Sequence, residues 1–510
     1  MKKKKSSLVL LGFATSLCLC VSLCAKRKPL SKSVDVAAPI APNWRQVQKR
    51  AKDTVVQVFS ETSSFNWKEP FKSPKQSQSW GTAFFFKEDG YLISNYHVID
   101  ECVAIKIQLP SLGKERYDVK VVGVCPERDI AVLKLTDDAR EKITEALGTL
   151  PFLNLGDSDK IVRTQEILAL GYPLGQEKLK STQGIVSGRE GLWGESYIQI
   201  TAAINPGNSG GPSLNSDGDV IGINTASIAK AQNVGYIIPI NDVMNVIDAL
   251  HTTKLLRKPL LGAKFNNSSK DMLDYFNNPL PGGIYLARVY KDTLLEKADL
   301  KEGDMLYGIN EHVLDLYGEA HVLWSEDKVP LVSLLNRFKL GQKITLDFYR
   351  HGKKMNTAFD FTLQEPLPIR KFYPEFEKID YEIIGGMVVM ALTQNHIDIF
   401  EEVHDQLSKY RRRENQYQAR LILTHVFNNS PTQRARVLVA GDIIEEVNGQ
   451  KVYTLEDFRR AVKQNKDFVS VKTDTKRFMV LSMETVLQEE DQLARQNFYK
   501  KSPLVQELEA

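Results

Sequence analysis

Cysteine is scarce in this 510-residue chain: there are five, three of them at positions 18, 20 and 24. The other two, Cys102 and Cys125, show neither a C-x-x-C redox motif nor a metal-ligand spacing, so no thiol-based metal or redox centre is indicated. Net charge is also small, formally +4. Four of the 67 Lys and Arg lie at positions 2–5, and without them the cations balance the 63 acidic residues. A neutral chain with no clustered basic face gives no electrostatic ground for binding nucleic acid. A composition of 42 % hydrophobic and 25 % charged residues excludes a collagen-like, mostly disordered or polytopic membrane protein. The length exceeds one compact core and predicts two to four domains of about 100–200 residues each.

Residues 1–25 place a basic stretch before an apolar one that ends in small residues, the layout of an export signal. Cleavage and export to a bacterial periplasm or cell envelope is the expectation. Two alternatives stay open. Residues 7–25 nearly suffice to span a bilayer as a retained anchor. Val21-Ser22-Leu23-Cys24 is similar to a lipoprotein box, with Leu23 where a small residue belongs, so lipidation at Cys24 is the second.

Residues 26–45 are polar and Pro/Ala-rich and read as a tether. From residue 54 to 240 short Val/Ile/Phe-rich runs alternate with Gly, Asn, Asp and Pro, which predicts a mainly β domain, barrel or sandwich. A polar segment at 61–78 carries Phe65, Trp67 and Phe71 and reads as a binding lid or a folded-down surface loop. Runs at 103–109 and 118–124 read as a hairpin. A loop centred on 113–114 sets residue 102 opposite 125, leaving open a Cys102–Cys125 disulfide or two free thiols. Val243, Met244, Ile247 and Leu250 recur at helical spacing, with Asn241 or Asp242 as cap, and close the domain.

Beyond a basic linker at 252–258 the chain repeats itself. Residues 300–310 (LKEGDMLYGIN) and 438–448 (LVAGDIIEEVN) share L-x-x-G-D-φ-φ-x-x-φ-N, where φ is apolar. Gly-Asp makes a turn, the apolar pair starts a strand and Asn supplies the next turn. Two related modules follow, and the mixed-charge tail after residue 486 reads as a solvated helix.

The sharpest signal is Asn205-Pro-Gly-Asn-Ser-Gly-Gly-Pro212. A hydroxyl becomes a nucleophile only beside a base, and the tetrahedral intermediate needs N–H donors at its oxyanion. Ser209 in a Gly-rich turn meets the second need, since successive N–H groups converge there. His97 stands at the end of an apolar strand in SNYHVI, and Asp129 opens another in RDIAVLKL. The order His, Asp, Ser in an all-β region points to acyl transfer.

These motifs, with GTAFFF, LALGYPLG, STQGIVSG, DVIGINTA and NVGYIIP, resemble the HtrA/Deg family of exported serine proteases across residues 50–465. The second module, from YEIIGGMVVMALT, is similar to the chloroplast-type Deg branch. The resemblance implies a signal peptide (1–25), a tether (26–45) and a trypsin-like double β-barrel (46–251). Two PDZ-like α+β domains (257–365 and 376–485) and a charged tail (486–510) complete it.

The resemblance also implies roles: Ser209 as nucleophile, His97 as general base, Asp129 orienting His97, and the N–H groups of Gly207 and Ser209 as oxyanion hole. Ala203, six residues before Ser209, lines the primary specificity pocket. A small neutral residue leaves a Lys or Arg substrate side chain unpaired, so cleavage after small or medium apolar residues is expected. Ile223, Asn224 and Thr225 match the strand edge that pairs with substrate, and Leu260-Leu261-Gly262-Ala263 a PDZ loop that binds C-terminal carboxylates. Thr201 departs from the Asp common in the family. The implied function is an ATP-independent serine endopeptidase that degrades unfolded proteins of the cell envelope, needs no cofactor or metal, and assembles as a trimer or a multiple of trimers. The alternatives are a chaperone or peptide-binding scaffold, or a regulatory protease activated by C-terminal peptides.

Overall fold

A computed structural model describes residues 43–192, 194–227 and 233–510. The export signal, the Cys24 lipidation site and nearly all of the tether lie outside the described residues, as does Trp193. No helix among the described residues is long and apolar enough to cross a membrane.

Two closed six-stranded barrels form the first domain. The first contains β1 (Val55–Ser64), β2 (Lys75–Phe85), β3 (Tyr91–Ser94), β4 (Cys102–Gln108), β5 (Tyr117–Cys125) and β6 (Ile130–Leu135). The second contains β7 (Glu166–Gly171), β8 (Lys180–Leu192), β9 (Glu195–Ile200), β10 (Pro212–Leu214), β11 (Val220–Ser227) and β12 (Gly235–Pro239). β-branched and aromatic residues fill both interiors, as full closure without a free edge requires. The closing helix runs Ile240–Thr252 and buries Val243, Val246, Ile247 and Leu250. Pro239 precedes it without a side-chain cap, and Asn241 is used elsewhere, donating to Asp157 (2.8 Å) and accepting from the Ser158 N–H (3.0 Å).

Two expectations change. β1 and β2 stay paired out to Ser64 and Lys75, so the aromatic segment is a ribbon tipped by residues 65–74 and not a long loop. In the β4–β5 hairpin Ile105 faces Val119 and Ile107 faces Tyr117, a register that brings 102 level with 122, three residues short of Cys125. The short helical turn Pro110–Leu112 sets this register, and the disulfide does not form. The two thiols belong to different cores, and burial pushes both up to about 12.

The repeated motif occupies equivalent places in two further sheets. β13 (Ala263–Asn266), β14 (Ile284–Val289) and β15 (Met305–Ile309) continue through Lys343–Arg350 to Lys353–Asp360. In the second module the order is Tyr381–Ile384, Met387–Ala391, Leu421–Val426, Ile443–Val447, Phe468–Thr473 and Phe478–Ser482. Asn310 and Asn448 both turn the chain at positive φ, and each side chain accepts from a backbone N–H, of Thr345 (2.9 Å) and of Ser470 (2.8 Å). Asp304 and Asp442, both buried, accept from the N–H three residues earlier and pair with Arg350 and Arg477. The tail is no solvated helix: Met483–Asn497 and Pro503–Glu509 bury Val486, Leu493, Leu504 and Val505. Charge between those positions hid the apolar stripe.

Candidate active site

The site forms where the barrels meet. β3 ends at Ser94, and the buried Asn95, still extended, starts the helical turn Tyr96–Ile99 that carries His97. Asp129 follows the 3-10 turn Pro126–Arg128 in a left-handed conformation (φ 55°, ψ 42°). Its carboxylate accepts the His97 backbone N–H at Oδ1 (2.9 Å) and the imidazole Nδ1–H at Oδ2 (2.8 Å). This holds the tautomer with Nε2 free to accept a proton. Burial by itself lowers the His97 pKa. The Asp129 bond and the charges of Asp129 and Asp100 outweigh it, and the net shift is upward from the ordinary imidazole value.

Thr225 joins the serine to this pair. Its hydroxyl donates to Asp129 Oδ2 (2.7 Å), and its carbonyl accepts from Ser209 Oγ (3.1 Å). The three expected residues are thus contiguous through one residue, by its hydroxyl on one side and its backbone carbonyl on the other; the sequence reading left that hydroxyl unused. Thr82 of β2 was also missed. Its N–H donates to Ser209 O (2.9 Å), its hydroxyl donates to Gly207 O (2.6 Å) and accepts from the Tyr172 N–H (3.1 Å). A polar residue in the apolar run GTAFFF was the available signal. Gly207 needs its φ of 98°, and a Cβ there would lie 2.3 Å from Tyr172 O. Among the described residues the N–H groups of Gly207 and Ser209 have no protein acceptor.

Ala203 is exposed, with its carbonyl accepting from Thr182 Oγ1 (3.3 Å) and Asn208 Nδ2 (3.4 Å). Ile223 and Asn224 do not form an open edge. Both are fully buried, Ile223 pairs with Pro212 and Ile238, and Asn224 bonds Gly210 and Gly211 by its backbone. Barrel closure consumes that edge, and of the three only Thr225 borders the site. Thr201 has a local role in place of the family's Asp: its backbone and hydroxyl clasp Ile185 of β8, each bond 2.9 Å.

In the first module Gly262 takes φ 84°, where a Cβ would meet Thr293 at 2.1 Å. Leu260 N–H is used by Gln364 Oε1 (2.8 Å), Leu261 O accepts from Leu295 and Gly262 O from Tyr290. Beyond this loop β13, which begins at Ala263, is an edge strand, paired only with β14. The second module differs. Its corresponding strand, Met387–Ala391, is paired on both sides, with Tyr381–Ile384 on the edge that β13 leaves open. The Gly385 N–H donates to the buried carboxylate of Glu490 (3.1 Å), which also accepts from Tyr499 OH (2.7 Å).

The aromatic ribbon tip is no lid; of the two readings the folded-down one holds, as the tip of a strand pair packed on the second module. Trp67 stands edge-on to His396 (5.2 Å), Phe71 to Phe427 (5.0 Å), and Lys68 lies over Phe400, all in the second module.

Sequence profiles match at both ends of this architecture, a trypsin-like peptidase domain at residues 81–223 and a PDZ domain at 374–501. Barrels, Gly-framed serine and modules together define a trypsin-like serine peptidase with PDZ domains. The serine protease Do-like HtrA of Bacillus subtilis (strain 168) is 30 % identical over 361 residues, covering 67 % of this chain and 75 % of the relative. A protein of Marinomonas sp. (strain MWYL1), described as a probable periplasmic serine endoprotease DegP-like, is 28 % identical over 402 residues, 76 % of each chain. Among solved structures, the HtrA-type protease AlgW with a decapeptide aligns at a TM-score of 0.49 and 27 % identity, covering 64 % of this chain and 99 % of that one. The chain belongs to the HtrA/Deg family of serine endoproteases.

Proposed function

We propose that Ser209 attacks the scissile carbonyl, His97 takes its proton through Nε2 and returns it to the leaving amine, and Asp129 holds the imidazole throughout. The observation that carries this reading is the paired grip of Asp129 on His97, tied to Ser209 by Thr225. The reaction begins when Ser209 Oγ leaves Thr225 O for Nε2. The N–H groups of Gly207 and Ser209 receive the oxyanion, and hydrolysis of the acyl ester completes the cycle with no nucleotide, metal or organic cofactor.

The substrate is extended, unfolded polypeptide cut after small or medium apolar residues, because Ala203 offers no counter-charge to Lys or Arg. A peptide C-terminus docks on the β13 edge of the first module, whereas the second holds its own strand there. Relatives described as periplasmic support export to the cell envelope. The role proposed there is protein quality control, carried out by a homotrimer or a multiple of it.

The test is degradation of casein by the full chain and by Ser209→Ala, with and without an apolar C-terminal peptide. Cleavage by the parent alone, leaving fragments that end in residues such as Val or Ala, is expected. Absence of cleavage by both, with aggregation of an unfolded client suppressed by both, would replace this reading with the scaffold. Cleavage by the parent only when peptide is present would favour the regulatory protease.

A further inference from the structure

Asp129 does not sit in a relaxed backbone conformation. The left-handed region is disfavoured for a residue with a Cβ, though less for Asp than for most, and contacts on both sides hold it there. On the site side these are His97, Thr225 and Asn95, whose Nδ2 donates to Asp129 O (3.0 Å). On the far side the grip comes from outside the barrels. Arg128, the last residue of the turn, is 5 % exposed and donates from Nη1 to the backbone carbonyl of Asn336 (3.0 Å). Asn336 caps the C-terminus of the helix Leu331–Leu335 in the first module, where a carbonyl faces a cation favourably.

The joint is built around that contact. Asn336 Nδ2 donates to Glu195 Oε2 (2.7 Å), and Glu195 also pairs with Lys258 (2.5 Å). The half-buried carboxylate of Glu195 and the buried one of Asp242 feel the Arg128 charge, and Arg337 of the first module pairs with Asp242 (2.9 Å). One residue before Arg128, Glu127 accepts from Arg257 (3.2 Å) in the segment leading to the module. A guanidinium buried this far is tolerated only while its partners stay in place, so the turn and the module helix move together.

We propose that Arg128 is a positioning residue for Asp129, with the end of the first module's helix setting its place through Asn336. Arg128 holds the 3-10 turn, the turn holds the Asp129 carboxylate, and that carboxylate orients His97. The first module is thereby part of the catalytic geometry. The inference rests on the role given to Asp129 above.

The test uses the full-length chain, a chromogenic peptide with Val at the cleaved bond, and titration of reactive serine by a fluorophosphonate. Arg128→Met keeps the bulk and removes the donor, and Arg128→Lys keeps a shorter, single-point charge. Per titrated site, kcat is expected to fall about tenfold or more in Arg128→Met with KM within about twofold, and by an intermediate amount in Arg128→Lys. His97 faces the carboxylates of Asp129 and Asp100, so a loosened Asp129 bond also moves the acid limb of kcat/KM to lower pH. A merely structural role predicts fewer titrated sites, each with unchanged kcat and pH midpoint, and that result overturns the proposal. Should Arg128→Met fail to fold, Arg128→Lys decides by the same two readings. Cleavage by Ser209→Ala at the parent rate would instead sink the triad assignment itself.

Discussion

Replacing Glu490 by Gln isolates one carboxyl group in the second module and gives its stability a predictable pH dependence. The side chain is wholly buried, and burial pushes its pKa up to about 7 from the ordinary 4.5. The bonds from Tyr499 and Gly385 oppose that shift, and the neighbouring Glu509 and Glu382 add to it. The folded state therefore holds a proton between pH 4.5 and 7 that the unfolded chain has released. Stability is full below that window and falls as pH rises through it, by about 3 kcal/mol at most. Gln keeps an oxygen for the Gly385 N–H and offers an N–H to the Tyr499 oxygen, so Glu490→Gln carries no such slope. Hydrogen exchange of the strand Met387–Ala391, corrected for the intrinsic pH effect, is the assay. At pH 8 the variant is expected to be protected about tenfold to a hundredfold more than the parent, and at pH 5 the two should coincide. Equal pH dependence in both proteins, or lost protection in the variant at pH 5, would refute the reasoning.

Three further outcomes follow from the same contacts. Thr225→Val removes a donor to the Asp129 carboxylate, worth about 1.5–3 kcal/mol, so kcat on a peptide substrate should drop about tenfold to a hundredfold with KM nearly unchanged. Trp67→Ala empties a nearly buried site against His396; limited proteolysis should then cut residues 65–74 where the parent resists, while Ser209 remains titratable. Both Cys102 and Cys125 should label with iodoacetamide only on unfolding at pH 8, since burial pushes their thiols up to about 12; prompt labelling of Cys125 in the native chain would contradict the packing.

Elements whose cause is local are legible in the residues alone. Gly207 and Gly210 are needed for the turn around Ser209, the strand ends place His97 and Asp129, and the repeated Gly-Asp and Asn turns mark two modules of one design. Tertiary structure decided what depends on register and on partners distant in sequence. Three residues of register separate Cys102 from the position opposite Cys125, and barrel closure takes Ile223 and Asn224 out of reach of substrate. The Thr225 hydroxyl, the Thr82 clasp and the Arg128 contact join residues 96, 125 and 208 positions apart, and no periodicity records such pairings. In the second module a strand covers the edge that β13 leaves open, and Glu490 takes the Gly385 N–H. A buried carboxylate among surface-like charges looks the same in sequence as any solvated Glu, and only its neighbours distinguish it.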